Sequence, residues 1–305
     1  MRDAVIQVIT EAARKDRDIM FLSADFGAPA LDVFRHDLPN QFVHTGIAEQ
    51  HMIDLAAGLA LSGKKVFCYA MAPFISTRCY EQVKCSLGAM NLPVTLIGVG
   101  AGLGYDNTSM THICIEDIAC MRAVNNLQIL TPSDNETAVV CTQLALEKPA
   151  LRYLRLERHA LPNLYSPHEA KTYVGVMGFA HHLIGLRAEA AIVACGGMTH
   201  VALEAARELQ ATTGFDVEVV DLISVKPFPD LNALLKNIRV IITVEEQLLA
   251  GGMGSAVLEA LIPRYGSITR LGIEDGFKLI NGDREELRRH FHIDKDSIVR
   301  TLAVD

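Results

Sequence analysis

Two short stretches hold the side chains best placed to do chemistry. In "TGIAEQHMIDLAAGLAL" (45–61) a carboxylate, Glu49, stands at the start of an apolar helical pattern that runs on through Leu55, Ala56, Leu59 and Ala60. A carboxyl group in apolar surroundings has its pKa raised and can hold or share a proton. The plainer reading is a first-turn acid matched to the helix dipole, worth about 0.3–1 kcal/mol. On spacing alone the plainer reading wins. In "GVGAGLGYDNTSMTHICIEDIACMR" (98–122), glycines 98, 100, 102 and 104 follow an apolar strand, and a polar loop with Asp106, Asn107, Thr108, Ser109 and His112 comes next. Ligands of open α/β sheets bind beyond the carboxyl ends of strands. Glycines there let the backbone approach a ligand, and His112 could exchange protons with it. An ordinary polar-loop histidine fits about as well.

Other patterns carry less. Gly58–Lys65 nearly matches a phosphate loop, but position 65 is Lys, so the hydroxyl for Mg²⁺ is missing, and the segment closes a helix instead of opening one. Gly63 then reads as a helix C-cap. "LAGGMGSAVLEAL" (249–261) is Gly-rich before a helix, and close backbone packing explains it better than an anion. The seven cysteines are odd in number and have no C-x-x-C spacing, so neither a metal site nor a disulfide framework is expected. Reduced thiols in a cytoplasmic protein fit best.

These residues need a scaffold, and the chain has the material for one. It has 305 residues, half of them hydrophobic, which suits two domains with sizeable cores. The net charge is −8 with Lys and Arg spread thinly, so no nucleic-acid stripe or membrane-binding basic run is present. The first residues alternate charged and apolar side chains in a helical period and lack the apolar block of a signal peptide. No apolar run reaches the roughly 18 residues of a membrane span.

Apolar runs at 18–24, 65–71, 93–100, 127–132 and 150–156 read as strands, with helical patterns near 3–15, 48–62, 76–90, 114–123 and 134–147. Ser133-Asp134 reads as a helix N-cap. Strands apolar throughout predict parallel sheets covered on both faces. "ERHALPNLYSPHEAKTYVGVMGFAHHL" (157–183) reads as a connector with a short extended piece. A second α/β pattern follows, with strands at 190–196, 216–222, 240–246 and 267–273 and helices near 198–213, 230–236, 253–263 and 283–291. The expected fold is α/β with two domains of mainly parallel sheet: 1–165, a linker at 166–185, and 186–305.

Several stretches together resemble the C-terminal half of transketolase and of deoxyxylulose-phosphate synthase, both thiamine-diphosphate enzymes. They are "SADFG" (23–27), "GIAEQH" (46–51), "FISTRCYEQV" (74–83), "LPVTLIGVGAGLGYD" (92–106), "THICIEDIACMRAVNNLQILTPSDNETA" (111–138) and "TVEEQ…GGMG" (243–254). Order and spacing match over nearly the whole chain. The resemblance implies a pyrimidine-binding domain followed by a transketolase C-terminal domain. It places Glu49 on the glutamate that hydrogen-bonds the cofactor's aminopyrimidine ring and shares a proton with its ring nitrogen. It places Phe74 and Tyr80 on aromatics around the pyrimidine, where stacking suits a flat heterocycle, although core packing explains both residues without it. Asp25 matches an acid near the cofactor and the dimer contact, and His112 the substrate-facing histidine. Arg158 matches an arginine that binds the anionic end of the sugar, a task suited to a guanidinium. A surface ion pair is the plainer reading of Arg158.

Three departures qualify the resemblance. Transketolases commonly read D-G-P-T-H before the histidine, whereas this chain has Thr108-Ser109-Met110-Thr111-His112, with Asp106 close by. "GVGA" (98–101) lacks the histidine of a second anion contact. The G-D-G motif that binds the diphosphate and Mg²⁺ is absent, since Gly282-Asp283-Arg284 is only a near match. The resemblance therefore implies a partner, an N-terminal transketolase subunit that carries the diphosphate domain and Mg²⁺, in a dimer of heterodimers. The expected activity is transfer of a two-carbon ketol unit from an anionic ketose to an aldose. The alternatives are a thiamine-diphosphate enzyme that decarboxylates a 2-oxo acid, and a catalytically silent assembly subunit.

Overall fold

The computed structural model describes residues 1–24, 29–108, 110–174, 181–184, 188–261, 266–276 and 282–304. The first sheet is built from β1 (Ile19–Ser23), β2 (Phe42–His44), β3 (Lys65–Met71), β4 (Val94–Val99), β5 (Gln128–Leu130) and β6 (Arg152–Leu156). These strands are parallel in the order β5-β6-β4-β3-β1-β2. β1, β4 and β6 are buried along their whole length, as expected of a sheet with helices on both faces. Successive side chains take opposite faces. Phe21, Phe67, Ile97 and Leu154 pack with residues of the helices Arg2–Ala13 and Asn135–Glu147. Leu22, Cys68, Leu96 and Tyr153 belong with the helix Glu49–Leu61 instead.

The second sheet is formed by β7 (His181–Ile184), β8 (Ala190–Ala194), β9 (Val217–Asp221) and two further strands, Val240–Leu248 and Ser267–Ile273. Between β9 and these last two, β10 (Ser224–Lys226) leaves the second sheet and pairs antiparallel with β5. Numbered in chain order after β10, the remaining strands are β11 (Val240–Leu248) and β12 (Ser267–Ile273). The second sheet has the order β12-β11-β8-β9-β7, with only β7 antiparallel. One apolar cluster crosses between the halves, joining Ile118, Met121 and Ile129 to Leu222, Val225, Met253 and Val257.

Several segments differ from the expected pattern, among them the helices Asp32–Asp37 and Lys295–Val304, where no element was expected. The helix expected over 76–90 is broken into Ala72–Ile75, Tyr80–Gln82 and a π-helical turn at Val83–Gly88. The expected connector contains a helix, Pro167–Val174. Ser166 and Glu169 make a reciprocal capping box at its start, with Ser166 N–H donating to Glu169 Oε2 at 2.8 Å and Glu169 N–H to Ser166 Oγ at 3.3 Å. β10 was not expected at all. Gly63 follows its helix at φ +86° and the chain enters β3 directly, so the near phosphate loop is a helix end.

Candidate active site

β2, β3, β4 and β6 all point their carboxyl ends to one edge of the first sheet, and each is followed by a candidate residue. After β2, Gly46 turns the chain at φ +71° and Ala48 enters the helix Glu49–Leu61 without a side-chain cap. Glu49 is the first helical residue and only 3% exposed. Burial imposes on a carboxylate a desolvation cost that dipole matching at an exposed helix start would avoid, so the structure gives Glu49 more than the helix start requires. Its surroundings are not purely apolar, however. Arg78, from the segment after β3, donates from Nη1 to Glu49 Oε2 at 3.0 Å. The same guanidinium lies 3.8 Å from the centre of the Phe74 ring, a cation–π arrangement.

The contacts continue across the edge. The Phe74 and His112 rings meet edge to face, with centroids 5.1 Å apart. His112 Nδ1 is 2.8 Å from the Thr111 hydroxyl, and which of them donates follows the imidazole tautomer. His112 then meets Tyr105 at 5.9 Å between centroids. The Arg158 guanidinium, just beyond β6, covers the other end at 4.5 Å from the Tyr105 ring centre. Glu49, Phe74, His112 and Arg158 are thus brought into one continuous run, with Arg78 and Tyr105 filling its gaps. Among the described residues Arg158 makes no ion pair, unlike its plainer reading.

Two candidates lie outside this run. Tyr80 packs against the apolar cluster beside the helix Glu49–Leu61. Asp106 is a tether: Oδ1 accepts the Asn107 N–H at 2.8 Å and Oδ2 the Arg284 N–H at 3.0 Å. Asp25 and Ser109 lie outside the described residues.

The second domain holds the loop that carries Tyr105 and His112. Leu103 N–H donates to Glu246 Oε2 at 2.9 Å, and Arg284 and Arg288 donate to the same carboxylate. Burial alone would push Glu246 up, but Arg284 and Arg288 outweigh it and hold the carboxylate below its ordinary range. Gly102 sits at φ +59° against Glu246, where a Cβ would lie 2.5 Å from Oε2. Arg284 also donates to Glu157, the residue before Arg158. One guanidinium therefore ties together the bases of the segments that carry His112 and Arg158. Gln247 adds two further ties, accepting from Ile118 N–H and donating to the Cys114 carbonyl.

The remaining motifs are structural. Glu245 accepts from Met253 and Gly254 N–H at the start of the helix Met253–Ala260, so the Gly-rich segment holds the chain's own carboxylate. Burial raises that carboxyl to about 7. Asp134 caps the helix Asn135–Glu147, and its second oxygen accepts from Leu164 and Tyr165 N–H. Asp221 of β9 receives hydroxyls from Ser133, Tyr165 and Thr199, joining the first sheet, the connector and the second domain. Among the described residues no group of three or more His, Cys, Asp or Glu side chains is gathered to hold a metal ion.

Comparison with known proteins places this geometry. The transketolase pyrimidine-binding domain family matches residues 1–163, and the transketolase C-terminal domain family matches residues 184–298. An apulose-4-phosphate transketolase subunit of Phocaeicola vulgatus is 34% identical over 304 residues, covering 98% of this chain and 95% of that protein. A 1-deoxy-D-xylulose-5-phosphate synthase of Thermomicrobium roseum is 35% identical over 318 residues, which cover 99% of this chain but 48% of that protein. A solved structure described as a split gene transketolase, inactive beta4 tetramer, superimposes with a TM-score of 0.84 at 29% identity, over 99% of this chain and 96% of that one. The two family matches, which together span most of the chain, and the subunit matched over nearly its whole length agree with the fold: the chain belongs to the transketolase family and is a transketolase-type transferase subunit.

Proposed function

We propose that this chain works with a separate N-terminal subunit as a cytoplasmic, thiamine-diphosphate-dependent transketolase that moves a two-carbon ketol unit from an anionic ketose to an aldose. The observation that carries the reading is the run from Glu49 through Phe74 and His112 to Arg158 along one sheet edge. Arg78 tests whether the cofactor's flat ring suits these residues. A planar group with N–H donors already lies against the Phe74 face while donating to Glu49. An aminopyrimidine offers the same two features, a flat π-face and ring or amino nitrogens at its edge.

Thiamine diphosphate, when bound, supplies the carbanion chemistry. Glu49 would hold and share a proton with the pyrimidine ring nitrogen, and Phe74 would stack on that ring. Asp25 lies in the stretch that would approach the cofactor and the dimer contact, and Tyr80 would back the aromatic wall. His112 would move protons to and from substrate oxygens, with Thr111 fixing its other nitrogen. Arg158, with no carboxylate partner among the described residues, would hold the far anionic group, and Asp106 would keep the loop in place beside it. The diphosphate and Mg²⁺ belong to the partner in this reading, in line with the missing G-D-G motif.

Glu49→Gln, assayed with the partner, is expected to lose at least about a hundredfold in kcat, the lower end of what a positioned proton-transfer group contributes. Retention of most of the activity would remove Glu49 from the mechanism. A second reading, decarboxylation of a 2-oxo acid, draws on the similarity to deoxyxylulose-phosphate synthase. Turnover of pyruvate in preference to ketose donors would favour it.

A further inference from the structure

His112 and Arg158 come from different loops, yet one ring touches both. Tyr105 meets the His112 ring at an interplanar angle of 58°, and the Arg158 guanidinium lies over the Tyr105 ring. Arg158 is otherwise lightly held. It is exposed, and its hydrogen bond to the Gly104 carbonyl spans 3.5 Å, the outer limit of such a contact.

Tyr105 itself is firmly seated. Gly100 has φ +86°, and a Cβ there would fall 2.0 Å from a carbon of the Tyr105 ring. The ring thus rests where only a glycine backbone leaves room. On either side, Leu103 is tied to Glu246 and Asp106 to the Arg284 backbone. A ring fixed from below and flanked by two functional side chains sets their relative orientation.

We infer that Tyr105 is a positioning residue that orients His112 and Arg158 together, and so sets the span between the proton-handling and anion-holding ends of the site. The inference rests on the roles proposed above for those two residues. Its physical basis is the aromatic face: a cation over a ring and an imidazole against it are both attracted by the ring's charge distribution. A phenylalanine should serve almost as well, and an aliphatic side chain should not.

The test uses the full chain labelled with ¹³C-histidine and followed by NMR, with the His112 signal assigned by its loss in His112→Gln. The signal is tracked through a pH titration and through addition of inorganic phosphate. Wild type and Tyr105→Phe are expected to share one His112 midpoint and one phosphate response. Tyr105→Leu is expected to move the midpoint and to weaken phosphate binding about two- to fivefold, the effect of losing one exposed cation–π contact. Tyr105→Met, similar in bulk but without a flat face, takes its place if the leucine variant does not fold. The inference is overturned if the aliphatic variant behaves as wild type, or if Tyr105→Phe is as perturbed as Tyr105→Leu. Absence of any phosphate response in the wild type would overturn the Arg158 half of it. None of these readouts needs turnover. Loss of the proposed roles would instead appear as unchanged activity of His112→Gln and Arg158→Ala in the assembled enzyme.

Discussion

Glu49 and Arg158 are opposite cases among the residues of the site. Glu49 is buried and paired, whereas Arg158 is exposed and touches only a ring and a distant carbonyl among the described residues. An exposed guanidinium without a carboxylate is available to a substrate anion at little desolvation cost. Arg158→Ala in the assembled enzyme should therefore raise KM for an anionic donor by about 10–100-fold, the worth of a charge-assisted hydrogen bond. Its kcat should stay within a few fold, since binding is lost equally in ground and transition states. A matching fall in kcat would give Arg158 a part in the chemical step. That Glu49, His112 and Arg158 would be neighbours could be expected from the sequence, because several motifs of the resemblance fall in register around them. The places of Arg78 and Tyr105 between them could not. Nothing in "FISTRCYEQV" marks an arginine that will turn back onto a glutamate 29 positions earlier, and Tyr105 reads as one more loop residue until its ring is seen against Gly100.

At the scale of elements, the junction around Asp221 shows how segments far apart in sequence are locked. Burial raises the Asp221 carboxyl from 3.8 to about 6, although hydroxyls from Ser133, Tyr165 and Thr199 pull the other way. The folded protein thus binds this proton more tightly than the unfolded chain does. Stability from this group is highest below about pH 4 and falls as pH rises to about 6, beyond which it is constant. Asp221→Asn cannot titrate. Its stability relative to wild type should climb across that window by up to about 3 kcal/mol and then level off. Urea denaturation at a series of pH values reads this directly, and a flat difference would mean that Asp221 is ionised at its ordinary value. Ser133 and Asp134 announced their helix in the sequence, but not that the same turn would bind β9 and the connector. The helix Pro167–Val174 was legible in principle. Ser166-Pro167-His168-Glu169 is a capping box with proline at the first turn, hidden by the prolines and glycines around it.

At the scale of the whole molecule, the described residues form two sheets in α/β layers, and the alternation of apolar runs with helical patterns was enough to expect both. No helix among the described residues is long and apolar enough to cross a membrane. A complete cofactor site is expected only with the partner. Calorimetric titration of thiamine diphosphate and Mg²⁺ should show binding to the mixture of subunits and none to this chain alone. Tight binding to this chain by itself would reveal a diphosphate site within it. What the sequence concealed at this scale is β10. It is three residues long and pairs with a strand about a hundred positions earlier, so no local period betrays it.

That strand bears on how the chain can be divided. β10 covers the outer side of β5, whose backbone N–H and C=O groups would otherwise form an open edge. It also brings Lys226 to donate to the carbonyls of Arg122 and Val124, at and just past the end of the helix Asp117–Arg122. A fragment of residues 1–165 would lose both, along with the apolar side chains of Leu222, Val225 and Met253 that close its flank. Such a fragment should self-associate through the bare edge, which light scattering would detect. A monomeric, folded fragment would show that the edge protects itself. For anyone recombining modules of such enzymes, the two halves have no clean seam: a cut in the connector bares β5, and a cut after Lys226 parts β8 from β11.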